Sequence, residues 1–155
     1  MPKLNLPEYE MKLKVEKERN YVLDRLRKRY VKLTPEEYVR QHFVNYLIEY
    51  KNYPEGLLAN EIEIKLGNVK KRCDTILYDR KLNPIMLIEY KAPFVAVSES
   101  TFDQIMRYNM ELKVPWVVVS NGLFHFCCRI NSADNSYRYE MEIPDYSELC
   151  NYQHQ

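Results

Sequence analysis

Two short stretches, PIMLI at residues 84–88 and WVVVS at 116–120, are apolar at almost every position and show no alternating polar face. A strand of that kind has no side to offer to water, so it must lie in a sheet covered by other elements on both faces. Between the two, SESTFDQIMRYNMEL (98–112) opens on a serine suited to cap a helix. Its apolar residues Phe102, Ile105, Met106 and Leu112 follow at helical spacing, and Pro115 stops it. Strand, helix and strand in that order predict a crossover in which 84–92 and 116–120 run parallel.

The remaining elements extend this unit into an α/β domain. Thr34-Pro35-Glu36-Glu37 reads as a cap, a proline at the first helical position and a glutamate three residues after the cap. Val39, Phe43, Leu47 and Tyr50 then follow at helical spacing towards a stop near Asn52-Tyr53-Pro54. NEIEIKL (60–66) alternates and KRCDTILYD (71–79) is β-rich; the connections are short, so these two and 84–92 form an antiparallel meander. Asn121-Gly122 is a hairpin signal leading into LFHFCCRI (123–130), and YRYEMEI (137–143) is a further strand. Helix, three strands, helix and strands predict a mixed sheet with helices on both faces. Residues 8–29, charged and free of Gly and Pro, read as helix, so the chain divides into a basic helical arm (1–33) and a globular domain (34–155).

With 155 residues, 46% of them hydrophobic and 29% charged, the chain can build one soluble core. No apolar run approaches the length of a membrane span and the N-terminus has no signal-like apolar block, so a cytoplasmic protein without a membrane partner is the expectation. Cys73, Cys127, Cys128 and Cys150 show no CxxC spacing, and the adjacent pair would point to opposite faces of a strand, which disfavours zinc and disulfides. His42, His125 and His154 lack ligand spacing. Residues 1–40 hold 11 Lys/Arg against 7 Asp/Glu although the whole chain is only +1. The densest part, RLRKRY (25–30), suits either phosphate contact, through Arg27, Lys28 and Arg29, or a solvated charged face.

The apolar run at 84–88 ends on Glu89-Tyr90-Lys91. Glu89 and Lys91 share one strand face, and the neighbouring antiparallel strand carries Asp74. Such a cluster can be a structural ion pair. Two carboxylates on adjacent strands also suit magnesium, a hard cation held by one or two carboxylates with water and substrate oxygens completing the octahedron. A lysine beside them would orient water or stabilise charge on phosphate oxygens, as phosphodiester hydrolysis requires.

Asp74 followed by Glu89-Tyr90-Lys91 resembles the PD-(D/E)XK nuclease motif, and Gln104-Ile105-Met106-Arg107-Tyr108 resembles the QxxxY element that accompanies it. RYVKLTPEEYVRQ, RCDTILYD, PIMLIEYKAP, QIMRYN and VVVSNGLFHF together resemble, in order, the N-terminal nuclease domain of the type I restriction enzyme R subunit, over residues 29 to about 130. That resemblance implies a restriction-endonuclease-like three-layer αβα core and DNA cleavage dependent on magnesium or manganese. Asp74, Glu89 and the Tyr90 carbonyl would be metal ligands, Lys91 the catalytic lysine, and Gln104 and Tyr108 supports of the site or contacts to the DNA backbone. Glu37 matches an acid that members place on the first helix to face the metal, or else completes the cap with Thr34; Arg40 and Gln41 would reach phosphate. Cys73 stands where the motif name has proline. No GxxxxGK phosphate loop occurs, so this chain would not translocate DNA by itself; motor or specificity subunits of a restriction system are the implied partners besides DNA. Cutting both strands with one site would take a homodimer or two events. The competing reading is a nucleic-acid-binding or assembly module that keeps the nuclease fold without turnover.

Overall fold

A computed structural model of the chain describes residues 1–153, so His154 lies outside the described residues. Strands β1 (Leu13–Glu16), β2 (Arg19–Asp24) and β3 (Arg29–Lys32) come first, then helix α1 (Pro35–Lys51) and a 3₁₀ turn at Glu55–Leu57. β4 (Leu58–Leu66), β5 (Val69–Tyr78), β6 (Pro84–Tyr90), helix α2 (Glu99–Leu112), β7 (Trp116–Ser120), β8 (His125–Ile130), β9 (Tyr137–Glu140) and helix α3 (Tyr146–Gln153) follow. The main sheet has the order β4-β5-β6-β7-β8-β9. Among the described residues only β6 and β7 pair in parallel, with Met86 beside Trp116 and Tyr90 beside Ser120. The mixed sheet and the crossover through α2 are as the apolar runs predict. No helix among the described residues is long and apolar enough to cross a membrane.

Alternation along β6 from Met86 onward, and along β7, divides the core in two. Met86, Ile88, Tyr90, Trp116 and Val118 pack with Val39, Phe43 and Leu47 of α1 and Leu149 of α3. Leu87, Val117 and Val119 pack with Phe102, Ile105 and Met106 of α2. The two adjacent cysteines obey the same rule, Cys127 joining the first cluster and Cys128 the second. Emptying one fully buried ring such as Phe43 would cost about 3–5 kcal/mol, so α1 is held by its contacts far more than by helix propensity. Both main helices begin as their sequences predict: Thr34 accepts from the Glu37 N–H at 3.0 Å and Ser98 from the Thr101 N–H at 3.2 Å. Asn52, at φ 60°, ends α1 in the left-handed conformation.

The N-terminal segment corrects the expected helical arm. Residues 8–29 form no helix; β1, β2 and β3 make a separate antiparallel sheet in which Val15 faces Asn20 and Val22 faces Val31. Absence of glycine is a poor argument for helix here, because Lys17 (φ 50°), Glu18 (φ 63°) and Lys28 (φ 56°) take the left-handed turn positions themselves. The β-branched Val15, Val22 and Val31 and the aromatic Tyr21 and Tyr30 suit strands, and no helical arrangement of this segment yields a continuous apolar stripe. Nor does the segment hang free. Val22 and Asp24 are fully buried, Arg25 binds Asn45, Glu49 and Glu55, and the Asn5 N–H donates to the Gly122 carbonyl. The hairpin at Asn121-Gly122 is wider than a two-residue turn: Ser120 pairs with His125, and Asn121 Oδ1 accepts from the N–H groups of Leu123 and Phe124.

Candidate active site

Strands β5 and β6 bring the two carboxylates together. Their register runs Leu77 to Met86, Ile76 to Leu87 and Thr75 to Ile88, so one step further Asp74 lies across from Glu89. Ile76 and Leu87 pack under α2, and Asp74 and Glu89, each two residues from them, take the same face. The Tyr90 N–H donates to Asp74 Oδ2 at 2.9 Å, which locks that carboxylate against the end of β6. Lys91 follows directly, half-buried, with its own N–H bonded to the Ser120 carbonyl at 2.9 Å.

Glu89 is the unusual member. It is only 7% exposed, and its Oε1 is buried without a hydrogen-bond partner. Burial, then the repulsion and contact of the Asp74 carboxyl, push the Glu89 carboxyl up to about 9, against the opposing pull of Lys71 and Lys91. A buried acceptor left unmatched beside a second carboxylate fits a hard, oxygen-seeking divalent cation, because such an ion would supply the missing partner and offset the mutual repulsion. Soft-metal chemistry does not fit: the neighbouring Cys73 thiol is pushed up to about 12 by burial and by Glu89, far from the thiolate a soft metal needs. Among the described residues no group of three or more His, Cys, Asp and Glu side chains is gathered to hold an ion, so a metal here would rest on this pair plus backbone and water.

Glu37 is not the third acid. Its Oε1 accepts from Arg27 at 2.9 Å and Arg40 at 2.6 Å, and its Oε2 from Arg40 at 2.8 Å and Gln41 at 2.9 Å. This corrects its expected place as a metal ligand: two guanidiniums and an amide already satisfy both oxygens. It also corrects the expectation that Arg27, Arg40 and Gln41 reach phosphate, since all three turn inward. Arg40 is 7% exposed and continues to Glu61 at 2.7 Å and to the Asp74 carbonyl at 3.0 Å. Burial alone would lower its pKa, but the hydrogen bond and charge of Glu37 outweigh that and raise it. Lys28 and Arg29 remain exposed.

A buried polar chain thus backs the site. The Tyr90 hydroxyl donates to Thr75 at 2.9 Å, Thr75 to Asn60 at 2.6 Å, and Asn60 to both oxygens of Asp24 at 3.2 Å. Arg27 closes the chain by binding Asp24 as well as Glu37. Burial pushes the Asp24 carboxyl up, yet the Arg27 backbone and side chain and Asn60 together hold it below the ordinary range. Neither Asp24 nor Asn60 stands out in the sequence; each becomes important only because the N-terminal sheet packs behind β4 and β5.

Sequence parity also hides Lys71. With regular alternation Lys71 and Asp74 point to opposite faces. Glu61 on β4 has φ 57°, however, and the Glu61–Asp74 pair is missing from an otherwise continuous β4–β5 register. Beyond that break Ile62, Ile64 and Cys73 turn to the α2 cluster. Lys71, the strand partner of Ile64, arrives with its ammonium 3.7 Å from Glu89 Oε1 and 4.9 Å from the Tyr108 ring centroid. Gln104 and Tyr108 lie one turn apart on α2, both exposed, so Tyr108 reaches the carboxylates through Lys71.

The family model described as type I restriction enzyme R protein N terminus (HSDR_N) matches residues 35–144. Among solved structures, a fragment described as the HsdR subunit of a type I restriction enzyme from Vibrio vulnificus YJ016 is similar with a TM-score of 0.55 at 18% identity. The match covers 78% of this chain and 25% of that one. At that identity the likeness shows the fold, and this chain spans about a quarter of that relative's length. No curated protein matches.

Proposed function

This chain belongs to the family of type I restriction enzyme R protein N termini, and from that premise we propose that it is a DNA-cleaving domain dependent on magnesium or manganese. The observation that carries the reading is the Asp74–Glu89 carboxylate pair with its unmatched buried oxygen and an adjacent lysine. Asp74, Glu89 and the Tyr90 carbonyl would hold the ion. When bound, the ion supplies Lewis acidity towards the scissile phosphate. Asp74, fixed by the Tyr90 N–H, and Glu89, set at the end of the central strand β6, present their oxygens to the ion. Lys91 orients the attacking water and stabilises charge growing on the phosphate oxygens. Lys28 and Arg29, exposed on the N-terminal sheet, contact the DNA backbone. Motor and specificity subunits of a restriction system are the partners this family membership supports.

A plasmid-cleavage assay with Mg²⁺ or Mn²⁺ against EDTA tests this. Divalent-dependent nicking should fall by a factor on the order of 10² to 10³ in Lys91→Ala. Cleavage at the original rate in that variant would remove Lys91 from the chemistry. Absence of cleavage of any DNA or RNA would leave a binding or assembly module as the better account.

A further inference from the structure

Lys71 has no part in the chemistry above, yet its ammonium is aimed at the one buried acceptor in the carboxylate pair that lacks a hydrogen-bond partner. We propose that Lys71 is a tethered counter-cation: it stands in for the metal ion at Glu89 before the ion binds, and the ion displaces it. The inference rests on the reading of Asp74 and Glu89 as metal ligands.

The geometry is that of an exchangeable contact. The buried arginine pairs close to hydrogen-bond distance, Arg40 to Glu37 at 2.6 Å and to Glu61 at 2.7 Å, whereas the lysine pairs stay loose, Lys14 to Glu16 at 3.4 Å, Lys70 to Glu63 at 3.5 Å and Lys51 to Asp145 at 3.6 Å. Lys71 stops at 3.7 Å from Glu89 Oε1, too far for a hydrogen bond, yet its charge favours the ionised form of Glu89 that a metal ion needs. Its other contact is equally soft, since the ammonium lies 4.9 Å from the ring centroid of Tyr108, which is 38% exposed at the edge of the site. A lysine is a point charge on a flexible stem, able to leave without breaking a fixed fork of hydrogen bonds. Asp74 and Lys91 are the other charged groups acting on Glu89. Without Lys71 the Asp74–Glu89 pair would have Lys91 alone as counter-charge. Tyr108 then acts by holding the counter-cation in reserve.

Displacement predicts competition. In isothermal titration calorimetry of the full chain with MnCl₂, Lys71→Met should bind Mn²⁺ roughly tenfold more tightly. Tyr108→Leu, which loosens the lysine, should shift the Kd the same way by about two- to threefold. Lys71→Arg keeps a cation at the site and should bind no more tightly than the original protein. An unchanged or weaker Kd in Lys71→Met overturns the counter-cation while leaving the metal site standing. If Lys71→Met does not fold, an unchanged Kd in Tyr108→Leu overturns it equally. No Mn²⁺ binding to any of the four proteins defeats the metal-site reading and this inference with it.

Discussion

Replacing Glu89 by glutamine should stabilise the metal-free protein at mildly alkaline pH, by an amount that follows from where the carboxyl sits. Glu89 is 7% exposed, and burial together with Asp74 raises its folded-state pKa to about 9. In the unfolded chain it returns to roughly 4.3. Because the folded value is the higher one, the associated stability is fully present below the unfolded value and is lost as pH rises towards the folded value. Over that window the unfolded chain sheds a proton that the folded protein keeps. The slope is about 1.4 kcal/mol per pH unit, so stability falls by about 2.7 kcal/mol between pH ~6 and ~8, or roughly 5–10 °C in Tm. Glu89→Gln keeps the shape and removes the titration. Urea unfolding in EDTA at the two pH values, compared between the two proteins, isolates the effect. His42 and His125, both lowered by burial, contribute equally to each protein and cancel. An equal change with pH in both proteins would refute the argument that Glu89 is held protonated.

Asp24→Asn should cost on the order of 3 kcal/mol in urea unfolding, because it weakens the anchor for Arg27 and Asn60. The Asp24 carboxylate is held below its ordinary value, so its contribution should be present above that value and disappear as pH falls through the lowered one. Arg40→Met should lose about 3–5 kcal/mol of stability by leaving Glu37 and Glu61 short of a partner, while the salt dependence of DNA binding stays as it was; a reduced salt slope would restore Arg40 as a phosphate contact. The double substitution Lys28→Gln with Arg29→Gln should instead lower that slope by about 1.8 with little change in stability. Gly122→Ala should destabilise by about 1–2 kcal/mol: at φ +84° an added Cβ is strained, and it would lie 2.7 Å from Leu4 Cδ2.

Features whose causes are local are legible in the residues alone. An all-apolar strand needs cover on both faces wherever it sits, so the runs at 84–88 and 116–120 announced a layered sheet. Thr34-Pro35 and Ser98 satisfy the helix ends beside them, and Asp74 and Glu89 keep the strand positions, with Lys91 just past the end of β6, from which a site could be proposed. Tertiary structure decided what each charge faces. Arg27, in a basic run, and Arg40, on the first helix, look like phosphate ligands, but both guanidiniums are held by the buried Glu37, and only packing reveals where Glu37 and Asp24 are. Lys71 stayed hidden for a geometrical reason: parity counts side chains on a regular strand, but Cys73 and Ile76, three apart on β5, both join the α2 cluster, so alternation skips opposite the positive-φ Glu61. The N-terminal sheet was lost to the same non-locality, its turns built by Lys and Glu in a conformation that costs too little to need glycine once Val22 and Asp24 are buried behind the site.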